Sequence, residues 1–115
     1  MHRDDEDFPI LLRELPDCPT ILYVRGKLPP NDALISVVGS RKHSQYATAS
    51  LEKIIPDLVL SRYGILSGGA YGIDSVAHEI TLKHNGYTAA VFGAGIDIYY
   101  PSSNRALFDQ IITKG

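Results

Sequence analysis

Three short segments of this chain concentrate residue types that bind anions: Gly39-Ser40-Arg41, Ser67-Gly68-Gly69 with Ala70-Tyr71-Gly72, and Gly93-Ala94-Gly95. Glycine lets the main chain come close to a ligand, and unpaired amides at the start of a helix attract phosphate oxygens. Arg41 adds a guanidinium that stays charged and can take a phosphate or a base edge through two parallel bonds. The same glycines are also what tight strand-to-helix turns ask of the main chain, with or without a ligand. Tyr46, Tyr71, Tyr99 and Tyr100 fall close to these segments. Singly such tyrosines pack; together they could offer stacking surfaces for unpaired bases.

Other chemistries fit less well. The dinucleotide fingerprint needs a third glycine where Ile98 follows Gly93-x-Gly95, so no nicotinamide cofactor is expected. No lysine follows a glycine loop at the spacing of a nucleoside triphosphatase. Ser67 has Asp74 and His78 nearby, but Gly64-Ile65-Leu66-Ser67-Gly68 misplaces the first glycine of a nucleophile elbow. Asp74 stands where a carboxylate complements a helix start, and His78 follows one turn later on the same face. Asp74 and His78 are therefore read as a structural pair. A metal would need more ligands than these two, and no His, Asp or Glu cluster supplies them. No catalytic residue, cofactor or metal is expected.

The elements that must position the glycine segments follow from periodicity. Leu34–Val38, Gly64–Ser67 and Thr88–Phe92 read as strands buried on both faces of a parallel sheet. Leu51, Ile54, Ile55, Leu58 and Val59 recur at three- and four-residue spacing, which predicts a crossover helix over about 44–62, with Pro56 a point where it can bend. A second helix is expected over 74–84 with Val76, Ala77 and Ile80 inward and Asn85-Gly86 as its stop, and a third over 103–113. Strands alternating with helices give an α/β fold, a Rossmann-like open parallel sheet with flanking helices. Ligands of such sheets bind at the carboxyl ends of the strands, where all three glycine turns fall. The chain stops where the next strand of such a sheet is expected, so the fold reads as incomplete at its C-terminus. Residues 1–33, broken by Pro9, Pro16, Pro19, Pro29 and Pro30, read as an extension with one short helix and an extended piece against the sheet, and 34–115 as the sheet domain. The acidic first residues are expected to be solvated and disordered.

A length of 115 residues bounds the chain to one small core. Net charge is −2, yet the acid is concentrated early: residues 1–34 hold four basic and seven acidic side chains, and 35–115 hold seven basic and six acidic ones. With no broad basic face, an anion site must be a local pocket of amides and one or two basic side chains. The lone Cys18 forms no internal disulfide and is read as a packing residue. Nothing resembles a membrane span or a signal peptide, which predicts a cytoplasmic protein.

Taken in order, Val37-Val38-Gly39-Ser40-Arg41, Ser67-Gly68-Gly69-Ala70-Tyr71-Gly72-Ile73-Asp74 with Ala77-His78, and Gly93-Ala94-Gly95-Ile96-Asp97 with Tyr100-Pro101 and Asn104 resemble the signature of the DNA processing protein A (DprA/Smf) family. Pro9-Ile10-Leu11-Leu12 and Leu22-Tyr23-Val24-Arg25-Gly26 are similar to the segment preceding that family's Rossmann-like domain. The resemblance implies a single-stranded-DNA-binding recombination mediator that helps load RecA on incoming DNA in natural transformation, dimerises through its Rossmann-like domain and is not an enzyme. It implies that Gly39, Ser40 and Arg41 contribute to the DNA pocket. Gly69 stands where the family usually has leucine or another apolar residue, a departure expected to loosen that turn. The later phenylalanine, arginine and lysine positions of the family's pocket have no counterpart in these residues. The alternative is an enzyme of the related Rossmann-like group that hydrolyses nucleotide monophosphates, whose glycine-rich motif with a catalytic glutamate is not seen.

Overall fold

The computed structural model describes residues 1–28, 33–40, 42, 44–92 and 104–114. Its elements are α1 (Ile10–Arg13), β1 (Leu34–Ser36), α2 (Gln45–Leu60), β2 (Gly64–Ser67), α3 (Ile73–Lys83), β3 (Thr88–Ala90) and α4 (Arg105–Lys114). The strands form one parallel sheet in the order β1-β2-β3. Ile35 pairs with Ile65, and Ile65 in turn with Thr88.

The expected α/β architecture is present, and the helices begin and end for identifiable reasons. Ser44 caps α2 by accepting the amide of Ala47 on its hydroxyl at 3.2 Å. Pro56 removes one rung of α2, yet the helix runs on to Leu60. It is stopped by Arg62, which takes a left-handed conformation (φ 65°). The Asn85-Gly86 stop of α3 works by division of labour. Asn85 supplies the left-handed turn (φ 59°), while Gly86 donates its amide to Thr81 at 2.9 Å and leaves room for Val59, whose Cγ2 a β-carbon would approach to 2.7 Å.

Helices α2 and α3 cover one face of the sheet, where Ile55, Ile65, Ala77 and Ile80 make the core. Ile54, expected in the apolar stripe of α2, is instead half exposed. The strands are not buried on both faces as predicted: β2 is largely enclosed, whereas β1 and β3 are mostly half-buried. Their other face opens on a cavity of about 610 Å³ lined by Leu12, Leu22, Leu34, Leu66, Ala89 and Ile111 among others. β2 has the predicted bounds, whereas β1 and β3 are shorter than predicted, because β2 has only four residues to pair with. The amides of Val37 and Val91, donated to Leu66 and Ser67 at 2.9 Å each, make the last rungs.

The acidic start is solvated as expected, with residues 2–7 exposed, but its main chain is paired where disorder was expected. Met1 and Leu22 exchange hydrogen bonds at 2.9 and 2.7 Å, and the amide of Arg3 is donated to the Thr20 carbonyl at 2.9 Å. Phe8 is fully buried beneath the Arg13 guanidinium, 5.7 Å from the ring centroid, while Arg13 also donates to the carbonyls of Arg3 and Asp5. The Tyr87 hydroxyl, donated to the Lys27 carbonyl at 2.6 Å, ties this segment to the start of β3.

Candidate nucleic-acid interface

Because the strands are parallel, Ser36, Ser67 and Ala90 end at one edge, and the turns after β1 and β2 meet there. Gly39 packs against Ile73, the first residue of α3. A β-carbon at Gly39 would lie 2.7 Å from the isoleucine side chain, so no other residue fits this crossing without displacement. The Ile73 amide is donated to the Ser40 carbonyl at 3.2 Å. The Ser40 hydroxyl closes a small turn of its own, accepting the Lys42 amide at 3.0 Å and donating to the Lys42 carbonyl at 3.2 Å. Arg41, Gly93 and Gly95, and with them Tyr99 and Tyr100, lie outside the described residues.

The turn after β2 faces inward. Ser67 is buried and donates its hydroxyl to the Val37 carbonyl, joining β2 to the end of β1. The amides of Gly68 and Ala70 are donated to one carboxylate oxygen of Asp74, at 3.1 and 3.3 Å. Asp74 thus occupies, from within the protein, amides that the sequence offered to a ligand's phosphate. A β-carbon on Gly68 would come within 2.8 Å of that oxygen. Gly69 is buried with φ +71°, and the place of its missing side chain is taken by the Phe92 and Phe108 rings, each 2.9 Å from a would-be β-carbon. These rings meet edge to face with centroids 4.9 Å apart. The glycine departure thus wedges the turn instead of loosening it. Gly72 carries a second positive φ, 78°, immediately before α3, and Tyr71 between them is 46% exposed.

Asn104 was missed as a site-shaping residue. Its amide group donates to the Gly69 carbonyl at 3.2 Å and to Ser75 Oγ at 2.6 Å, and Ser75 donates to the Ala70 carbonyl at 2.6 Å. The start of α4 is thereby fastened to the glycine turn. Its signal in the sequence was its place in the family-like pattern, beyond the reach of local periodicity.

His78 is fully buried, and its ring pairs with Thr88, with Nδ1 2.7 Å from Thr88 Oγ1. Thr88 gives its only hydroxyl proton to the Ile65 carbonyl at 3.0 Å, so it accepts from His78. His78 Nδ1 therefore carries a proton and Nε2 is an acceptor with no partner among the described residues. Burial lowers the His78 pKa to about 4, although the Asp74 charge acts in the opposite direction. The ring is neutral at pH 7. Asp74 and His78 thus sit on one helix face but spend their hydrogen bonds on different partners. Among the described residues no group of three or more His, Cys, Asp or Glu side chains could hold a metal ion.

The family model for DNA recombination-mediator protein A matches residues 1–115. The chain belongs to that family. It is 41% identical to the protein Smf of Synechocystis sp. over 97% of this chain and 29% of that protein. To the DNA processing protein DprA of Streptococcus pneumoniae it is 40% identical over 93% of this chain and 38% of that protein. The chain therefore spans about a third of the length of these relatives. The crystal structure of the S. pneumoniae DprA superposes on 97% of the chain with a TM-score of 0.84, covering 40% of that structure at 36% identity. The Helicobacter pylori DprA, whose structure addresses a single-stranded DNA binding mode, superposes on all of it with a TM-score of 0.83, covering 55% of that structure at 25% identity. Family membership and fold agree with the resemblance carried by the glycine turns. No helix among the described residues is long and apolar enough to cross a membrane.

Proposed function

We propose that this chain binds single-stranded DNA across the carboxyl edge of the sheet, as part of a recombination mediator, and catalyses no reaction. The observation that carries this reading is the superposition of the whole chain on a family member with a single-stranded DNA binding mode. The edge itself supports it. Residues 33–51 contain Arg41 and Lys42 and no Asp or Glu, so the turn after β1 is the basic part of an otherwise near-neutral sheet domain. In this reading phosphates lie at Gly39, Ser40 and Arg41, with Gly93, Gly95 and Tyr71 beside them. Ser67, Gly68, Gly69 and Gly72 give the second turn its shape, and Asp74 and His78 hold it. The partners implied are RecA, loaded on incoming DNA in natural transformation, and a second copy of the chain, in the cytoplasm.

The test is fluorescence anisotropy of a labelled dT strand, with duplex DNA and nucleotide monophosphates as competitors and a product assay for the free base. Binding of the strand, weak competition by the other two and no base release are expected. Base release from a nucleotide monophosphate, or failure to bind the strand, contradicts the proposal.

A further inference from the structure

The second residue of α2, Tyr46, is 82% exposed. A tyrosine serving the core buries most of its ring, so packing among the described residues does not account for this one. It stands at the beginning of the helix that follows the basic turn. Three more large apolar side chains are exposed at the same edge: Val38 after β1, Val91 after β3, and Tyr71 in the turn between β2 and α3. The bond from the Ile73 amide to the Ser40 carbonyl joins the turn after β1, which leads into α2, to the start of α3, two residues after Tyr71. The edge therefore carries aromatic and apolar surface next to Lys42, in a stretch of sequence that also contains Arg41 and has no acid from 33 to 51. A single strand of nucleic acid offers the complementary pair of chemistries, charged phosphates and exposed base faces, whereas a duplex hides its base faces in the stack.

We propose that Tyr46 is a base-stacking residue of this edge, taking the face of an unpaired base while the neighbouring basic turn takes phosphates. This rests on the single-strand reading above. Stacking on an aromatic ring tolerates any base, so Tyr46 adds affinity without sequence preference. It also adds a part of the affinity that salt does not screen.

The experiment uses the 115-residue chain, which contains no tryptophan, and compares unmodified protein with Tyr46→Ala, Tyr46→Phe and Tyr46→Trp. Each is titrated with a dT strand and with an abasic strand of equal length at several salt concentrations. Tyr46→Ala should weaken dT binding by roughly 5- to 100-fold with an unchanged salt slope, and Tyr46→Phe should bind within about twofold of the unmodified protein. The single indole of Tyr46→Trp should be quenched by the dT strand and not by the abasic one. Because the side chain is exposed, all variants should melt with the unmodified protein. Unmodified affinity in Tyr46→Ala, or equal indole quenching by both strands, overturns the stacking inference and leaves the DNA reading intact. Failure of every protein, the unmodified one included, to bind dT overturns both.

Discussion

The carboxylate of Asp74 takes the amide of Gly68 at 3.1 Å, and with it the neighbouring amide of Ala70, so α3 carries its own anion into the turn that precedes it. That turn is fixed before any ligand arrives. Asp74→Ala removes two charge-assisted bonds from a carboxylate that is only 8% exposed and should cost about 1–3 kcal/mol of stability. Urea denaturation measures it; unchanged stability would show that the two bonds are not formed in solution.

Gly69 and Phe108 make a second coupled pair. Any β-carbon at Gly69 meets the Phe92 and Phe108 rings and must also adopt φ +71°. Gly69→Ala should destabilise by roughly 1–3 kcal/mol. Introducing leucine, the residue type usual in the family, should cost more. Combining Gly69→Ala with Phe108→Leu should cost less than the sum of the single changes, because the smaller side chain relieves the contact. Strict additivity in a double-mutant cycle would place the ring elsewhere.

Asn104 connects α4 to this turn through the Gly69 carbonyl and Ser75. Asn104→Ala should cost about 1–2 kcal/mol and raise amide hydrogen exchange in the 68–72 turn before it does so in β2. Exchange that rises equally throughout the sheet would argue against a local fastening.

The architecture was legible because its signals are local. Alternating apolar runs and the three-four spacing of Leu51, Ile55 and Leu58 located strands and helices to within a few residues. What escaped depends on through-space partners. The length of β1 and β3 is set by the four residues of β2, which neither flanking strand can know from its own sequence. Glycine composition marked the turn after β2 as a place for anions, but the reach of Asp74 across six residues to Gly68 depends on the backbone path through Gly69 and Gly72. Likewise Met1–Arg3 looked too acidic in context to order, and pairing with Thr20–Leu22 satisfies their main chain regardless of the side chains.

His78 gives the fold a calculable response to acid. Its pKa is lowered from 6.5 to about 4 by burial, so between these values the unfolded chain binds a proton that the folded chain refuses. The His78 contribution is fully present above pH 6.5 and is lost as pH falls towards 4, by up to about 3 kcal/mol. His78→Leu should lower stability at pH 7 but flatten the loss between pH 6.5 and 4 relative to the unmodified protein. Parallel pH dependences of the two proteins in urea titrations would contradict a buried neutral imidazole.

In the proposed function, single-stranded DNA is held by phosphate contacts at the turn after β1. It is tested most directly by titrating a fluorescent dT strand at several salt concentrations into the unmodified chain, Arg41→Ala, Arg41→Lys and Lys114→Ala. With one or two basic side chains engaged, the logarithmic salt slope should be shallow, roughly −1 to −2, and Arg41→Ala should reduce it by about 0.7 while removing much of the affinity. Arg41→Lys should restore only part of the loss, because the charge returns without the two-pronged geometry. Lys114, exposed at the last residue of α4, should be replaceable at little cost. If Arg41→Ala binds as tightly as the unmodified chain and with the same slope, DNA does not lie on this edge.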